Sequence, residues 1–340
     1  MPRLLVRLLP WLIIVPASVW GFLALHYQLS FTRTQNLFIL LTWAGLTGYV
    51  LYLYWQGSWK LGTLLYLIMH GELLLWWQPI EPSHERVWAD EVARLTTGEV
   101  NGNRVVLRNV RNFNWQSESR YEVRWEEREY NLQRLRSVDM ISSHWGMDSI
   151  AHILVSFGFD DGQFVTFSVE IRKELGEHYS ALGGFFKKYE LSIVASDERD
   201  AIAVRPNVRG EDTYLYRIAM PAHLRRALFL SYVEQANALA VTPRFYNTLT
   251  VNCTTLVYSM LRQTGEMFPL DPRLLLTGYL PSYIQAQDGL MTGFSLQQLR
   301  ELGHINARSH AAAGQPDYSK RIRQGVPGWL HELQPQGLPF

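Results

Sequence analysis

The chain of 340 residues contains a single cysteine, Cys253, and has no marked excess of either charge. One cysteine excludes an internal disulfide and leaves the redox compartment undecided. With 32 Lys+Arg against 31 Asp+Glu, the formal net charge is +1, so the large basic field of a nucleic-acid-binding protein is absent. His304 and His310 have no companions at metal-ligand spacing. We therefore expect no nucleic-acid partner, no metal site and no cofactor.

The chain also lacks apolar stretches of membrane-spanning length after residue 81. Three such stretches precede that point: Leu8–Leu25, Asn36–Trp55 and Leu61–Ile80. We predict three transmembrane helices and a membrane anchor over residues 1–81. His70 and Glu72 interrupt the third stretch. Ionisable groups inside a span usually face a partner or a polar cavity, so they either mark function or indicate a short or interfacial helix.

Positive charges near the N-terminus predict which side of the membrane the remaining chain occupies. Arg3 and Arg7 favour a cytoplasmic N-terminus. Three spans then export everything after Pro82, whereas two spans would leave it in the cytoplasm. We predict that the exported part consists of a domain over residues 82–265 and a C-terminal extension over residues 266–340.

The only cysteine lies in the segment Tyr246–Arg262 (YNTLTVNCTTLVYSMLR). After Cys253 the apolar residues recur at helical spacing, and the residues around it are of types that cap helix starts. We predict that Cys253 lies in the first turn of a helix, where unpaired N–H groups and the positive end of the helix dipole favour the nucleophilic thiolate. The alternative is a free cysteine that packs as a small buried hydrophobe.

A predicted β-hairpin precedes this segment. Its strand-like runs, Ala151–Phe159 and Gln163–Arg172, are separated by a three-residue loop that ends in Gly162, where a left-handed residue is needed. With this loop one face of the hairpin is uniformly apolar, and the other face pairs His152 with Glu170. A two-residue loop would mix the two faces, so we expect the longer loop.

The predicted register makes a histidine and a carboxylate cross-strand neighbours. If Glu170 accepts one ring N–H of His152, it fixes the tautomer and leaves the other nitrogen free to take a proton from a thiol. Ser168 lies on the same face and is an auxiliary candidate. The alternative is an exposed His–Glu pair on a solvated sheet face.

Several spaced blocks carry a resemblance to a known family: AHILVSFGFDDGQFVTFSVEIRKE, GGFFKKYEL, SDERDAIAVR, YLYR and FYNTLTVNCTTLV. They resemble the Lnb N-terminal periplasmic domain family, which is named for a bacterial lipoprotein N-acyltransferase. The likeness extends from about Pro82 or Val105 to about Arg262. In the acyltransferase of that name the membrane spans follow the catalytic domain, whereas here they come first.

The resemblance implies an α+β fold, in which the N-terminal transmembrane helices precede a permuted papain-like (NlpC-like) domain. In this fold an antiparallel sheet packs against the helix that bears the cysteine, and the histidine comes before the cysteine. The resemblance implies His152 and Cys253 as the catalytic pair, with Glu170 in SVEIR similarly placed as third member. It also implies a soluble domain on the periplasmic side of the bacterial inner membrane.

Four further polar residues are candidates for substrate binding. Arg172, Arg199 and Arg205 are suited to phosphate or carboxylate groups of a lipid or peptide, but salt bridges within the chain explain them equally well. Asn247, within the cysteine segment, is the fourth candidate.

The expected mechanism combines these groups. His152, oriented by Glu170, deprotonates Cys253, and the thiolate attacks an ester or amide carbonyl to form a thioester. Backbone N–H groups at the helix start, helped by Asn252, stabilise the oxyanion. An amine acceptor makes the protein an acyltransferase for a lipid or lipoprotein at the membrane surface. With water as acceptor it is a hydrolase of cell-envelope peptides, and the remaining alternative is a non-catalytic, membrane-anchored interaction module.

Overall fold

The computed structural model describes residues 2–263, 265 and 268–329. These residues form two units, each with its own dense internal contacts. The first comprises the chain up to His84 together with Tyr179–Glu190, and the second comprises Glu85–His178 and the chain from Leu191 onward. This division groups the segment 179–190 with the anchor, and it groups the C-terminal segment with the domain that precedes it.

The first unit is built on three helices, α1 (Pro2–Gln28), α2 (Arg33–Trp55) and α3 (Trp59–Trp77), and contains the short 3-10 helix Gly183–Phe185. Thr32 and Gln35 form a capping box that starts α2. Helices α1 and α2 approach closely at Gly21, where an added Cβ would lie 2.3 Å from the Trp43 ring. The glycine therefore makes room for the indole.

Two of these helices are long and apolar enough to cross a membrane, over Trp11–Gln28 and Arg33–Trp55. Large apolar side chains on them are exposed, among them Leu12, Phe38 and Leu41. Helix α3 forms where the third span was predicted but does not meet the same requirement of length and composition. In the part of the chain that the structure describes, two helices meet this requirement, and the third transmembrane helix stays a prediction.

The second unit contains strands and short helices. Its strands are β1 (Thr97–Asn101), β2 (Arg104–Arg111), β3 (Asn114–Ser117), β4 (Arg120–Glu122), β5 (Trp125–Asn131), β6 (Leu135–His144), β7 (Ala151–Phe159), β8 (Phe164–Arg172), β9 (Glu190–Ser196) and β10 (Asp212–Arg217). Its helices are α4 (Glu198–Ala201), α5 (Val204–Asn207), α6 (Ala222–Val241), α7 (Thr255–Gln263), α8 (Leu280–Ala286), α9 (Leu296–Gly303), α10 (Asn306–Ala311) and α11 (Tyr318–Arg321). Its 3-10 helices are Asp90–Val92, Leu132–Arg134, Pro272–Leu274 and Thr277–Tyr279.

Eight of the strands form one sheet in the order β1-β2-β9-β8-β7-β6-β10, with β5 paired to β2. The pairs β1 with β2, β2 with β5, β6 with β7, β7 with β8 and β6 with β10 are antiparallel. Strand β9 runs parallel to β2, and β3 and β4 form a separate hairpin. The sheet confirms the predicted α+β class with a mostly antiparallel sheet.

The hairpin of β7 and β8 has the predicted register. Leu154 faces Ser168, and Gly162 in the loop has a left-handed φ of 84°. The apolar face packs against α6, where the Phe229 ring lies 5.1 Å from the ring of Phe157 and 5.6 Å from that of Phe167. Alternation with a period of two residues therefore directs one face into the core, as expected for a strand with one apolar face.

The opposite face of the sheet is also buried and carries a network of charges. Arg323 is fully buried, and its guanidinium binds Glu198 (2.6 Å) and Asp139 (2.8 Å). Arg217 also binds Asp139, and Ser156 donates to Glu198. Since buried charges are stable only when they are paired, this network fixes the C-terminal segment to the sheet.

Candidate active site

Cys253 lies in the turn that leads into α7, two residues before Thr255. Asn252 caps this helix, because its Oδ1 accepts the N–H groups of Thr254 and Thr255 at 2.9 Å each. Its Nδ2 donates to Thr248 O at 2.8 Å. These bonds fix the turn that carries the cysteine. The Asn252 side chain thus caps the helix, and its contribution to the oxyanion site stays a prediction.

The imidazole of His152 meets two partners on the neighbouring strand. His152 Nε2 is 3.1 Å from Glu170 Oε1 and 2.7 Å from Ser168 Oγ. Ser168 Oγ donates to Glu170 Oε1 at 2.6 Å, so its lone pairs are free to accept a hydrogen bond from Nε2–H. Nε2 is therefore the protonated nitrogen, and Nδ1 is left for the thiol of Cys253.

The thiol of Cys253 interacts with the imidazole of His152. Burial raises the pKa of the thiol, but hydrogen bonding with His152 and the charge of the imidazole outweigh burial. The N–H of Ile153 and the hydroxyl of Thr254, whose oxygen lies 3.9 Å from the sulfur, lower the pKa of the thiol further. The pKa of Cys253 is thereby lowered from its ordinary value, which favours the thiolate.

The pKa values of the other two groups favour their charged forms. Burial opposes the charged imidazole, but the negative charge of Glu170 and the bonds to Cys253 and Glu170 raise the pKa of His152 to about 8. Burial also opposes the carboxylate, yet His152, Arg205 and Ser168 hold the pKa of Glu170 well below its usual range. The shifts therefore favour a thiolate, an imidazolium and a carboxylate in series, and we call Cys253, His152 and Glu170 the triad.

Of the four predicted substrate-binding residues, Arg205 reaches the triad. Its Nη2 is 3.8 Å from Glu170 Oε1, and its Nη1 is 3.0 Å from Glu211 Oε2. Ser143 Oγ donates to the same Glu211 oxygen. Because the Arg205 side chain is only 7% exposed, it supports Glu170 from within the protein.

The other three candidates hold the chain itself. Arg172 donates to two backbone carbonyls of the segment before β1, at 3.0 and 2.9 Å. Arg199 makes two bonds to Asp197, at 2.9 and 2.8 Å. Asn247 Oδ1 accepts two backbone N–H groups of the loop before Cys253, at 3.0 Å each. Their polar groups are used to shape loops around the site.

An apolar cavity of about 330 Å³ lies beside Cys253. The sheet, α6, α7 and the C-terminal segment line it, with residues that include Met140, Val155, Leu228, Val257, Leu274 and Tyr283. We missed this cavity from the sequence because one of its walls comes from residues 268–289, which lie beyond the predicted domain. Three of its residues, Leu280, Tyr283 and Ile284, recur at helical spacing on α8, but this local pattern does not show that the helix packs beside Cys253.

The C-terminal segment also holds the strand that carries His152. Thr277 Oγ1 accepts the N–H of Ala151 at 2.8 Å and donates to its carbonyl at 2.6 Å. The next residue, Gly278, leaves no room for a side chain, since an added Cβ would lie 1.9 Å from Asp148 O. The residues just before His152 are thus clamped by a segment more than a hundred positions later.

Residues 121–280 match the model of the family described as Lnb N-terminal periplasmic domain. The match confirms the resemblance over that segment, which contains the whole triad. It begins and ends later in the chain than the likeness inferred from the sequence blocks. No curated protein and no solved structure matches the chain. Among the residues that the structure describes, no group of three or more His, Cys, Asp or Glu side chains is placed to hold a metal ion.

Proposed function

We propose, from the premise that residues 121–280 are an Lnb N-terminal periplasmic domain, that this protein is a membrane-anchored cysteine acyltransferase. Its donor is a lipid or lipoprotein at the membrane surface, and the acyl group passes through a thioester on Cys253. The observation that carries the proposal is the His152 imidazole, whose Nε2 lies 3.1 Å from Glu170 Oε1 and which lowers the pKa of the Cys253 thiol. A permuted papain-like fold is part of the proposal.

The reaction has two steps. The Cys253 thiolate attacks the acyl carbonyl of the donor, a C–S bond forms, the ester C–O bond breaks, and the imidazolium of His152 gives its proton to the leaving alcohol. An amine then attacks the thioester, His152 takes the amine proton, and the thiolate leaves. Glu170 holds Nε2–H throughout and stabilises the imidazolium.

The oxyanion needs a donor close to the sulfur. The N–H groups of Thr254 and Thr255 are directed to Asn252 Oδ1. We therefore assign the role to the backbone N–H of Cys253 itself, at the start of the turn into α7. A donor aimed at the developing charge typically contributes about 3–4 kcal/mol to the transition state.

The cavity favours transfer of a hydrocarbon acyl group over cleavage of a peptide. Its lining is mostly apolar, whereas a peptide needs hydrogen-bond partners along its backbone. The lining therefore supports a hydrocarbon acyl group, and not a peptide, as the part of the donor that is bound here.

The family description supports a periplasmic location for the domain. If only α1 and α2 cross the membrane, a periplasmic domain requires a periplasmic N-terminus. If α3 crosses as well, a periplasmic domain requires a cytoplasmic N-terminus, which puts Arg3 and Arg7 in the cytoplasm, where positive charges are favoured. A reporter active only in the periplasm, fused after residue 84, is expected to be active. A second fusion after Gly57, between α2 and α3, decides whether α3 crosses.

The acyltransferase proposal is tested on lipoproteins in cells that lack the protein. Mass spectrometry of lipoprotein N-termini is expected to show N-acylation after complementation with the wild-type chain and with His223→Ala, an exposed histidine on α6. Cys253→Ala and His152→Ala are expected to give none. Equal N-acylation with and without the wild-type chain would refute the proposal, and release of free fatty acid in place of N-acylation would identify a hydrolase.

A further inference from the structure

We infer that the cavity beside Cys253 is a binding site for one acyl chain, with a capacity of about a dozen carbons, and that it selects donors by chain length. The inference rests on the proposed function for the chemistry at the sulfur. The selection rests on the shape and lining of the cavity alone.

The lining suits hydrocarbon and little else. The two tyrosines of the wall turn their polar ends into the protein, since Tyr258 Oη donates to Phe268 O at 2.7 Å and Tyr283 Oη donates to Pro269 O at 2.9 Å. They therefore present their rings to the cavity. A phosphate, a sugar or a peptide backbone would find few partners there, whereas methylene groups are released from water on entry.

The volume sets the capacity. An apolar protein cavity of about 150 Å³ accommodates benzene, with its six carbons. The cavity here measures about 330 Å³, a little more than twice as much, so it holds about a dozen carbons. Ala219, Pro221 and Asp288 line the cavity and are also exposed, so they mark its opening to solvent. A longer chain has to leave its end carbons outside.

Val257 is the residue placed to control this capacity. It lies on α7 one helical turn after Cys253, lines the cavity and is half-buried. A larger or smaller side chain at position 257 changes the space beside the thioester. Because Val257 is only half-buried, a larger side chain there causes less strain than it would in a fully packed core. Val257→Phe adds about four carbons to the wall and removes room for about four methylenes of the ligand.

The first test measures acylation of Cys253 by p-nitrophenyl esters with chains from about four to about eighteen carbons. Full-length protein in nanodiscs is used, and the adduct is measured by intact mass. The acylation rate is expected to rise up to about fourfold per methylene, as burial of each methylene permits, and to stop rising near a dozen carbons. In Val257→Phe the break is expected about four carbons earlier.

Val241→Phe is the matched control, because Val241 ends α6 with 82% of its surface exposed and does not line the cavity. Its profile is expected to coincide with that of the wild-type chain. A profile without a break, or a break that Val257→Phe does not move, would overturn the chain-length site and leave the acyltransferase proposal intact.

The second test detects binding of a fatty acid in the cavity without formation of the thioester. Cys253→Ala protein in nanodiscs is irradiated with photoreactive fatty acids of about twelve carbons, and the crosslinked peptides are identified. Crosslinks in α7 and in residues 274–284 are expected, and they are expected to be weaker in a Cys253→Ala, Val257→Phe double variant. If these crosslinks form but the wild-type protein is not acylated, the proposed chemistry is refuted and the acyl-chain site in the cavity is supported. Crosslinks confined to α1, α2 and α3 would overturn the site.

Discussion

Glu170→Gln tests whether the carboxylate holds the proton on His152. Glutamine keeps the shape of the side chain and removes its negative charge. In the wild-type chain Glu170 Oε1 lies 3.1 Å from His152 Nε2, and the two side chains are only 21% and 13% exposed. Water therefore screens the pair weakly, and loss of the charge has a large effect on the imidazolium.

The size of the effect follows from the pKa of His152. That pKa rises from an ordinary 6.5 to about 8, which corresponds to about 2 kcal/mol in favour of the imidazolium. Burial and Arg205 oppose the positive charge and the interaction with Cys253 favours it, so the pKa of His152 is expected to fall when the charge of Glu170 is removed. If most of the shift is lost, the equilibrium constant for the thiolate–imidazolium pair is expected to fall up to about 30-fold. Since the wild-type pKa is raised, the stabilisation is complete below pH 6.5 and is lost as the pH rises through about 8.

Alkylation of Cys253 by iodoacetamide measures this change without interference, because the chain has no other cysteine. In the wild-type chain the rate is expected to rise with pH at a midpoint below the ordinary thiol value of 9.0. In Glu170→Gln the midpoint is expected to move up towards that value. The control is Glu174→Gln, which removes a partly exposed carboxylate paired with Arg86. Identical profiles for Glu170→Gln and the wild-type chain would refute the role of the carboxylate.

Three further predictions concern pH, the buried charges and the C-terminal segment. The acylation rate is expected to decline as the pH rises through about 8, where His152 loses the proton that it donates, and a rate that keeps rising would contradict this assignment. Arg323→Met leaves two buried carboxylates without this partner and is expected to lower the free energy of unfolding by about 3–5 kcal/mol in a denaturant titration. Arg321→Met removes an exposed pair and is expected to change that free energy by less than about 1 kcal/mol. Thr277→Val leaves the buried N–H of Ala151 without its partner and is expected to lower the free energy of unfolding by about 1–3 kcal/mol. The same change is expected to slow acylation at least about tenfold. An unchanged acylation rate would show that Thr277 does not position His152.

The β7–β8 hairpin could be predicted in detail because its register depends on local information. A three-residue loop with Gly162 at its end and strict alternation in both strands leave one register that keeps the faces distinct. The neighbouring positions of His152 and Glu170 follow from it. Local capping residues likewise predicted the turn into α7, where Asn252 provides the cap.

Contacts between distant parts of the chain could not be predicted in this way. The bond from Arg323 to Asp139 joins residues 184 positions apart, and nothing near either residue indicates the other. The wall of the cavity comes from short 3-10 helices and from α8, where Leu280, Tyr283 and Ile284 recur at helical spacing. This spacing is local information about the helix and does not indicate which part of the chain the helix packs against.

A tertiary contact also explains why a predicted helix did not form. The apolar spacing of Glu85–Leu95 predicts a short helix near the membrane surface, but the structure has only the 3-10 helix Asp90–Val92 in this segment. The guanidinium of Arg172 donates hydrogen bonds to the carbonyl oxygens of Val92 and Ala93. In a longer helix these oxygens would accept backbone N–H groups instead. A buried arginine thus overrides a weak local preference.

The central claim is that Cys253 carries the acyl group. Its most direct test is the intact mass of the full-length protein in nanodiscs that contain phosphatidylethanolamine, without an acceptor amine. We predict one acyl adduct on the wild-type chain that hydroxylamine removes, no adduct on Cys253→Ala, and a strongly reduced amount on His152→Ala. Failure of the wild-type chain to form an adduct with any lipid donor, or an adduct that persists on Cys253→Ala, would contradict the account.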